Sequence, residues 1–165
     1  MKQTISRMQF LSGDFRGGEN ALRPPWAVEE ALFIELCSGC GDCIQCCPTS
    51  ILVKARAGFP AVDFRHGECE FCGQCAALCK TGALQSSLDT RDAPWALKAL
   101  IGERCITYQG VICRCCTEGC ETQAIRFQLT AGCVPQPQLV ETDCTGCGAC
   151  VAACPVDAIS VGVSA

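Results

Sequence analysis

Apolar residues in this chain come in short bursts, and four of the bursts stand in the same register behind a cysteine. Ile51-Leu52, Ala83-Leu84, Ala124-Ile125 and Ala158-Ile159 each lie four and five positions after Cys47, Cys79, Cys120 and Cys154, so one unit, a cysteine followed by a step into a strand, occurs four times. Between the first two copies, Ile51 to Phe64 has two apolar-rich runs around Ala57-Gly58 and predicts a β-hairpin; Ala124 to Val140 repeats that plan around Gly132. The join between the second and third copies breaks it. Asp92 can cap, Pro94 suits a first helical turn, Trp95 to Ile101 has a helical pattern and Gly102 can end it, which predicts a helical linker over 85–104. Ahead of the first copy lies an extension, 1–36, in which Val28 to Leu36 is an amphipathic run expected to pack on the first domain. Phe10, Leu11, Phe15, Leu22, Pro24, Pro25 and Trp26 stand isolated among glycines and polar residues, and the stretch before Pro24 is expected to dock a partner. No run approaches the roughly 18 apolar residues of a membrane helix, so no membrane insertion is expected.

Composition changes the picture of what holds these pieces together. A chain of 165 residues makes two very small domains, each short of buried surface, and it carries 19 cysteines with only 6% aromatic residues. Metal or disulfide must supply much of the folding energy. Disulfides need an oxidising compartment. Met1 to Phe15 has basic residues but breaks at Ser12, Gly13 and Asp14 before an apolar core of an export signal can form. Ser6-Arg7-Met8-Gln9-Phe10-Leu11 is like a twin-arginine motif that has lost its second arginine, so the chain is expected to be cytoplasmic. The formal charge of −4 and the lack of a basic stripe argue against nucleic acid as a partner.

The cysteine spacing decides between the remaining chemistries. Three units read C-x2-C-x2-C-x3-C: Cys37, Cys40, Cys43, Cys47; Cys69, Cys72, Cys75, Cys79; and Cys144, Cys147, Cys150, Cys154. The third in order, Cys105, Cys113, Cys116, Cys120, keeps the last two intervals but widens the first to x7. Cysteines two residues apart let one loop reach three iron corners of a 4Fe-4S cube, and in two-cluster ferredoxins the last cysteine of each motif crosses to the other cluster. The expected ligand sets are Cys37, Cys40, Cys43 and Cys79 for cluster one, and Cys69, Cys72, Cys75 and Cys47 for cluster two. Cluster three would take Cys105, Cys113, Cys116 and Cys154, and cluster four Cys144, Cys147, Cys150 and Cys120. Zinc is the rival, but a tetrahedral zinc site normally takes two separated pairs rather than four cysteines within eleven positions. Gly41, Gly73 and Gly148 each follow a second cysteine, where a wrapping loop uses positive φ. The fold class expected is α+β: two tandem bacterial-type ferredoxin-like domains, each for two 4Fe-4S clusters, at 37–84 and 105–165.

Three cysteines fall outside these sets. Cys47 and Cys116 keep the motif register, which leaves Cys46 and Cys115 as small buried or half-exposed side chains, and Cys133 at a hairpin turn as a bystander. The sole histidine, His66, lies in a polar turn and is expected at the surface. No nucleotide loop, paired carboxylates or nucleophile motif is present, so the polypeptide is not expected to be an enzyme.

With Leu22-Arg23-Pro24-Pro25-Trp26 ahead of the first motif, four motifs in this order and Cys105-x7-Cys113-x2-Cys116-x3-Cys120 as the atypical third, the chain resembles the NapF family of ferredoxin-type accessory proteins of the periplasmic nitrate reductase system, over nearly its whole length. Lys80 and Glu121 depart from the usual proline after the fourth cysteine. The resemblance implies a cytoplasmic protein that meets the precursor of the catalytic molybdenum subunit of periplasmic nitrate reductase and aids its maturation by electron or cluster transfer. The alternative is a freely diffusing electron carrier for another oxidoreductase.

Overall fold

The structure is a computed structural model and describes residues 21–55, 58–85, 94–129 and 134–163. These form two compact units that do not follow chain order. Described residues up to Asp63, with those from Gly73 to 85, make the first; Phe64–Cys72 and the residues from 94 onward make the second. The interval 37–84, expected as one domain, is thus shared between them.

In the first unit, helix α1 (Glu30–Leu36) buries Phe33 completely, a burial worth about 1.5–3 kcal/mol. Strands β1 (Leu52–Lys54) and β2 (Pro60–Val62) pair antiparallel with Leu52 opposite Val62, the expected hairpin, although Ala57 of its turn lies outside the described residues. The segment Leu22 to Val28 is woven into this unit. The Leu22 carbonyl accepts from Val62 N–H at 2.7 Å, Val28 N–H donates to Ala83 at 3.1 Å, and Trp26 accepts from Gln85 N–H at 2.8 Å. Ala27 and Leu84 form an antiparallel bridge. Arg23 holds the Glu30 carboxylate through Nε at 2.8 Å and Nη2 at 2.6 Å, and its guanidinium lies 4.8 Å and 5.5 Å from the ring centres of Phe33 and Phe59. Leu22 and Arg23, expected to face a partner, are therefore part of the fold. Residues 1–20, with Phe10, Leu11 and Phe15, lie outside the described residues. Two single helical turns complete the unit, α2 (Asp42–Gln45) and α3 (Gln74–Ala77).

The second unit holds the main correction. Leu97–Ile101 is a strand, β3, and not the expected helical linker; Asp92, the expected cap, lies outside the described residues. Seven residues between Pro94 and Gly102 are too few to nucleate a helix without packing. As a strand they gain a five-pair ladder with β6 (Ile159–Val163) and bury Leu97 and Ala99 on one face. Between them in the chain come α4 (Cys115–Glu118), the antiparallel pair β4 (Ile125–Gln128) and β5 (Gln136–Leu139), and α5 (Ala149–Ala152). The second expected hairpin is thus present, with Gly132 and Cys133 outside the described residues.

The core of this unit mixes hydrocarbon and sulfur: Ala99, Ile125 and Ile159 pack with Cys116 and Cys150. Trp95 meets Phe64 and Phe71 edge-on at 6.0 Å and 5.8 Å and donates its indole N–H to the Thr145 carbonyl at 3.1 Å. Phe64 lies so close to Gly148 that a Cβ there would fall 2.0 Å from the ring. With φ at +86°, glycine is required at position 148 on both counts.

Candidate iron–sulfur cluster sites

Three of the four wrapping loops bring a left-handed glycine directly before a single helical turn that carries the third cysteine. Gly41, Gly73 and Gly148 sit at φ of +84°, +73° and +86° immediately before α2, α3 and α5. In the third motif Arg114 stands at that place with φ of −135°. Its longer first interval instead forms a 3-10 turn, Ile106–Gln109, between the first and second cysteines.

The loops gather their cysteines in the first unit around a cavity of about 260 Å³ lined by Cys37, Cys40, Cys43 and Cys79, the set expected for cluster one, and backed by Phe33 and Leu84. Burial, then the charges of Cys37, Cys40 and Cys46, push the Cys43 thiol up to about 11. In the second unit a tighter cavity of about 20 Å³ is lined by Cys105, Cys113, Cys116 and Cys154, the set expected for cluster three, and also by Cys115. Cys150 is pushed up to about 12 by burial and by the charges of Cys147, Cys144, Cys120 and Cys116. Cys120, expected to complete the fourth set, and Cys116, expected in the third, both contribute to that charge. Of the second set, Cys69 and Cys72 belong to the second unit, and Cys75 and Cys47 to the first.

These surroundings fit a 4Fe-4S cube. A cube asks each thiolate for its own corner, and four thiols line the first cavity. Sulfur also finds donors. Leu84 N–H points to Cys79 Sγ at 3.4 Å and Ala158 N–H to Cys154 Sγ at 3.2 Å. At Cys47 and Cys79 burial opposes ionisation, but hydroxyl and N–H donors outweigh it and hold both thiols below their ordinary value. Raised thiols at Cys43 and Cys150 mean that iron must displace protons on loading.

Cys46 donates its S–H to the Cys43 carbonyl at 3.3 Å, and His66 is exposed. Cys115, expected as a bystander, lies with its sulfur 3.7 Å from Cys113 Sγ, at the third cavity. Register pointed away from it, and only folding the long loop brings it in. The sequence reading also passed over threonines placed two residues after Cys47, Cys79, Cys105 and Cys120; each hydroxyl meets the sulfur. That C-x-T spacing is visible in the sequence.

Residues 36–83 match a 4Fe-4S dicluster domain, and residues 137–160 a 4Fe-4S binding domain. The chain is 43% identical over 160 residues to the ferredoxin-type protein NapF of Escherichia coli K12, covering 97% of this chain and 96% of that one. It belongs to the NapF family of ferredoxin-type proteins. NapF of Haemophilus influenzae is likewise 43% identical, over 170 residues that cover 96% of this chain and 94% of the relative. The methylamine utilization ferredoxin-type protein MauM of Paracoccus denitrificans is 33% identical over 81% of this chain and 66% of its own length. Like its family, the chain is a multi-cluster 4Fe-4S protein. Among the described residues no helix is long and apolar enough to cross a membrane.

Proposed function

We propose that this NapF-family chain carries four 4Fe-4S clusters in two crossed pairs of motifs and uses them in the cytoplasm to deliver electrons or cluster to the precursor of the catalytic subunit of periplasmic nitrate reductase. The polypeptide itself catalyses nothing in this reading; its residues bind the cubes, wire them and set their potentials. The observation that carries the crossed arrangement is the lining of the first cavity, where three cysteines of one motif meet Cys79, the last of the next. Further support is the same pattern at the third cavity with Cys154. The second and fourth sets rest on spacing alone. The partner rests on membership of the family.

Full-length protein purified without oxygen should carry about sixteen irons and as many acid-labile sulfides, four for each cube. Colourless material free of sulfide would end the reading. For the partner, the loaded protein is compared with a variant lacking residues 1–20, which keeps the Arg23 cluster. The maturation role expects the shortened protein to lose capture of the precursor in a pull-down while still reducing a soluble electron acceptor at the normal rate. Undiminished capture and delivery would favour a freely diffusing carrier.

A further inference from the structure

Four hydrogen bonds join a threonine hydroxyl to a cysteine sulfur two residues earlier. Thr49 meets Cys47, Thr81 meets Cys79 and Thr122 meets Cys120, each at 3.6 Å, while Thr107 meets Cys105 at 3.1 Å. Three of these sulfurs are the last of their motif. The remaining last cysteine, Cys154, is followed by Val156, which has no hydroxyl. In the crossed sets proposed above, that set is the one completed by Cys105 and its threonine. Each of the four sets therefore contains one C-x-T pair, and the set deprived of it at the usual place has it at another.

Backbone needs do not account for the three threonines that follow a last cysteine, Thr49, Thr81 and Thr122. The turn after each last cysteine has one shape throughout, with Ser50, Gly82, Gln123 and Asp157 all at positive φ. Asp157 N–H closes that turn onto the Cys154 carbonyl at 3.4 Å with valine at position 156, as Gln123 N–H closes it onto Cys120 at 3.0 Å with threonine at 122. The turn accepts either residue; the sulfur distinguishes them.

We infer that these threonines are positioning residues that each donate a hydroxyl hydrogen bond to one cluster-bound thiolate and so raise the reduction potential of that cluster, with Thr107 having the strongest hold. An iron-bound thiolate can only accept, so the threonine O–H must donate. One-electron reduction places more negative charge on the sulfurs and strengthens the bond, which favours the reduced cube. Thr107 is 3% exposed and makes the shortest of the four contacts. Low dielectric at a buried site enlarges the effect.

The inference rests on the four-cluster reading, and the test separates the two. Loaded full-length protein is titrated without oxygen against a dithionite-poised mediator series, with EPR following each reduced cluster and iron and sulfide counted in parallel. Thr107→Val and Thr81→Val should each move one signal to a more negative midpoint, Thr107→Val further, with iron content unchanged; the corresponding serine variants should titrate as wild type. Val156→Thr should move the signal that Thr107→Val moves, but upward. If Thr107→Val loses iron, Thr81→Val and Val156→Thr decide, since both turns tolerate either residue. Fully loaded variants with wild-type midpoints would overturn the inference and leave the cluster reading standing. Wild-type protein short of four cubes would count against the cluster reading itself.

Discussion

The first and third sites hold cysteines of the same motif family in two different ways. Around the first, two residues separate Cys37 from Cys40, Gly41 swings the chain into the left-handed region, and four thiols line a cavity of about 260 Å³. Around the third, seven residues separate Cys105 from Cys113, the glycine gives way to Arg114, and five thiols line about 20 Å³. A short loop has few ways to present its cysteines, so the glycine is what lets it close. A long loop has slack, places its left-handed residue, Gly110 at φ of +83°, at the end of the 3-10 turn rather than after the second cysteine, and uses its extra length to seat Thr107 beneath the surface while Tyr108, Val111 and Ile112 remain exposed.

The sharpest way to break that contrast is to remove one thiol from each site. Cys40→Ala leaves the first site three thiols and should cost it the cube, about four of sixteen irons. Cys113→Ala leaves the third site with Cys115, whose sulfur already stands 3.7 Å from Cys113 Sγ. Iron content should survive in that variant and fall in Cys113→Ala/Cys115→Ala. Equal loss from both single variants would show that the fifth thiol is no substitute.

The glycines give the next effect. Gly148→Ala drives a Cβ to within 2.0 Å of Phe64 and forces alanine to φ of +86°; overpacking and backbone strain together should cost about 2–4 kcal/mol. Gly41→Ala meets nothing within 4 Å and has only its φ of +84° to bear, a cost of about 1 kcal/mol. Arg114→Gly should not help, because Arg114 has no left-handed strain to relieve. Urea unfolding of loaded protein, followed by loss of visible absorption, ranks the three.

What could be read from the sequence was what local spacing dictates. The motifs, both hairpins and the left-handed glycines depend on residues near one another in the chain, and the structure has the hairpins and glycines where the pattern put them. Leu97–Ile101 was misread because its ladder partner, Ile159–Val163, lies about sixty residues on; an apolar run that short has no helix or strand identity of its own. One clue was available. Pro94-Trp95-Ala96-Leu97 echoes Pro25-Trp26-Ala27-Val28, and both segments pair with the chain that follows the last cysteine of a motif pair. Cys115 was set aside because register cannot register a neighbour brought in by a folded loop.

Arg23 tests how far the entry segment belongs to the first site, whose Phe33 wall it covers. Arg23→Ala loses the two-pronged contact with Glu30 and the cation over Phe33 and Phe59. The Glu30 carboxylate is 53% exposed, so solvent screening discounts the ion pair, and the ring contacts supply most of an expected loss of about 1–2 kcal/mol. Arg23→Lys should recover less than half of it, because an ammonium cannot span both carboxylate oxygens and lie flat on the rings.

The smallest effect belongs to Lys80, which stands where the motif usually has proline. Its ammonium reaches Asp42 at 3.3 Å, and its side chain is 85% exposed. Such a pair is worth less than about 0.5 kcal/mol and fades with salt. Lys80→Ala should therefore leave unfolding and iron content unchanged, and Lys80→Pro should be tolerated as well, since the unmutated motifs at Cys47 and Cys154 make the same turn with Pro48 and Pro155. Loss of iron from Lys80→Pro, with Lys80→Ala intact, would show that the turn after Cys79 differs from its counterparts and that the likeness of the four turns is only approximate.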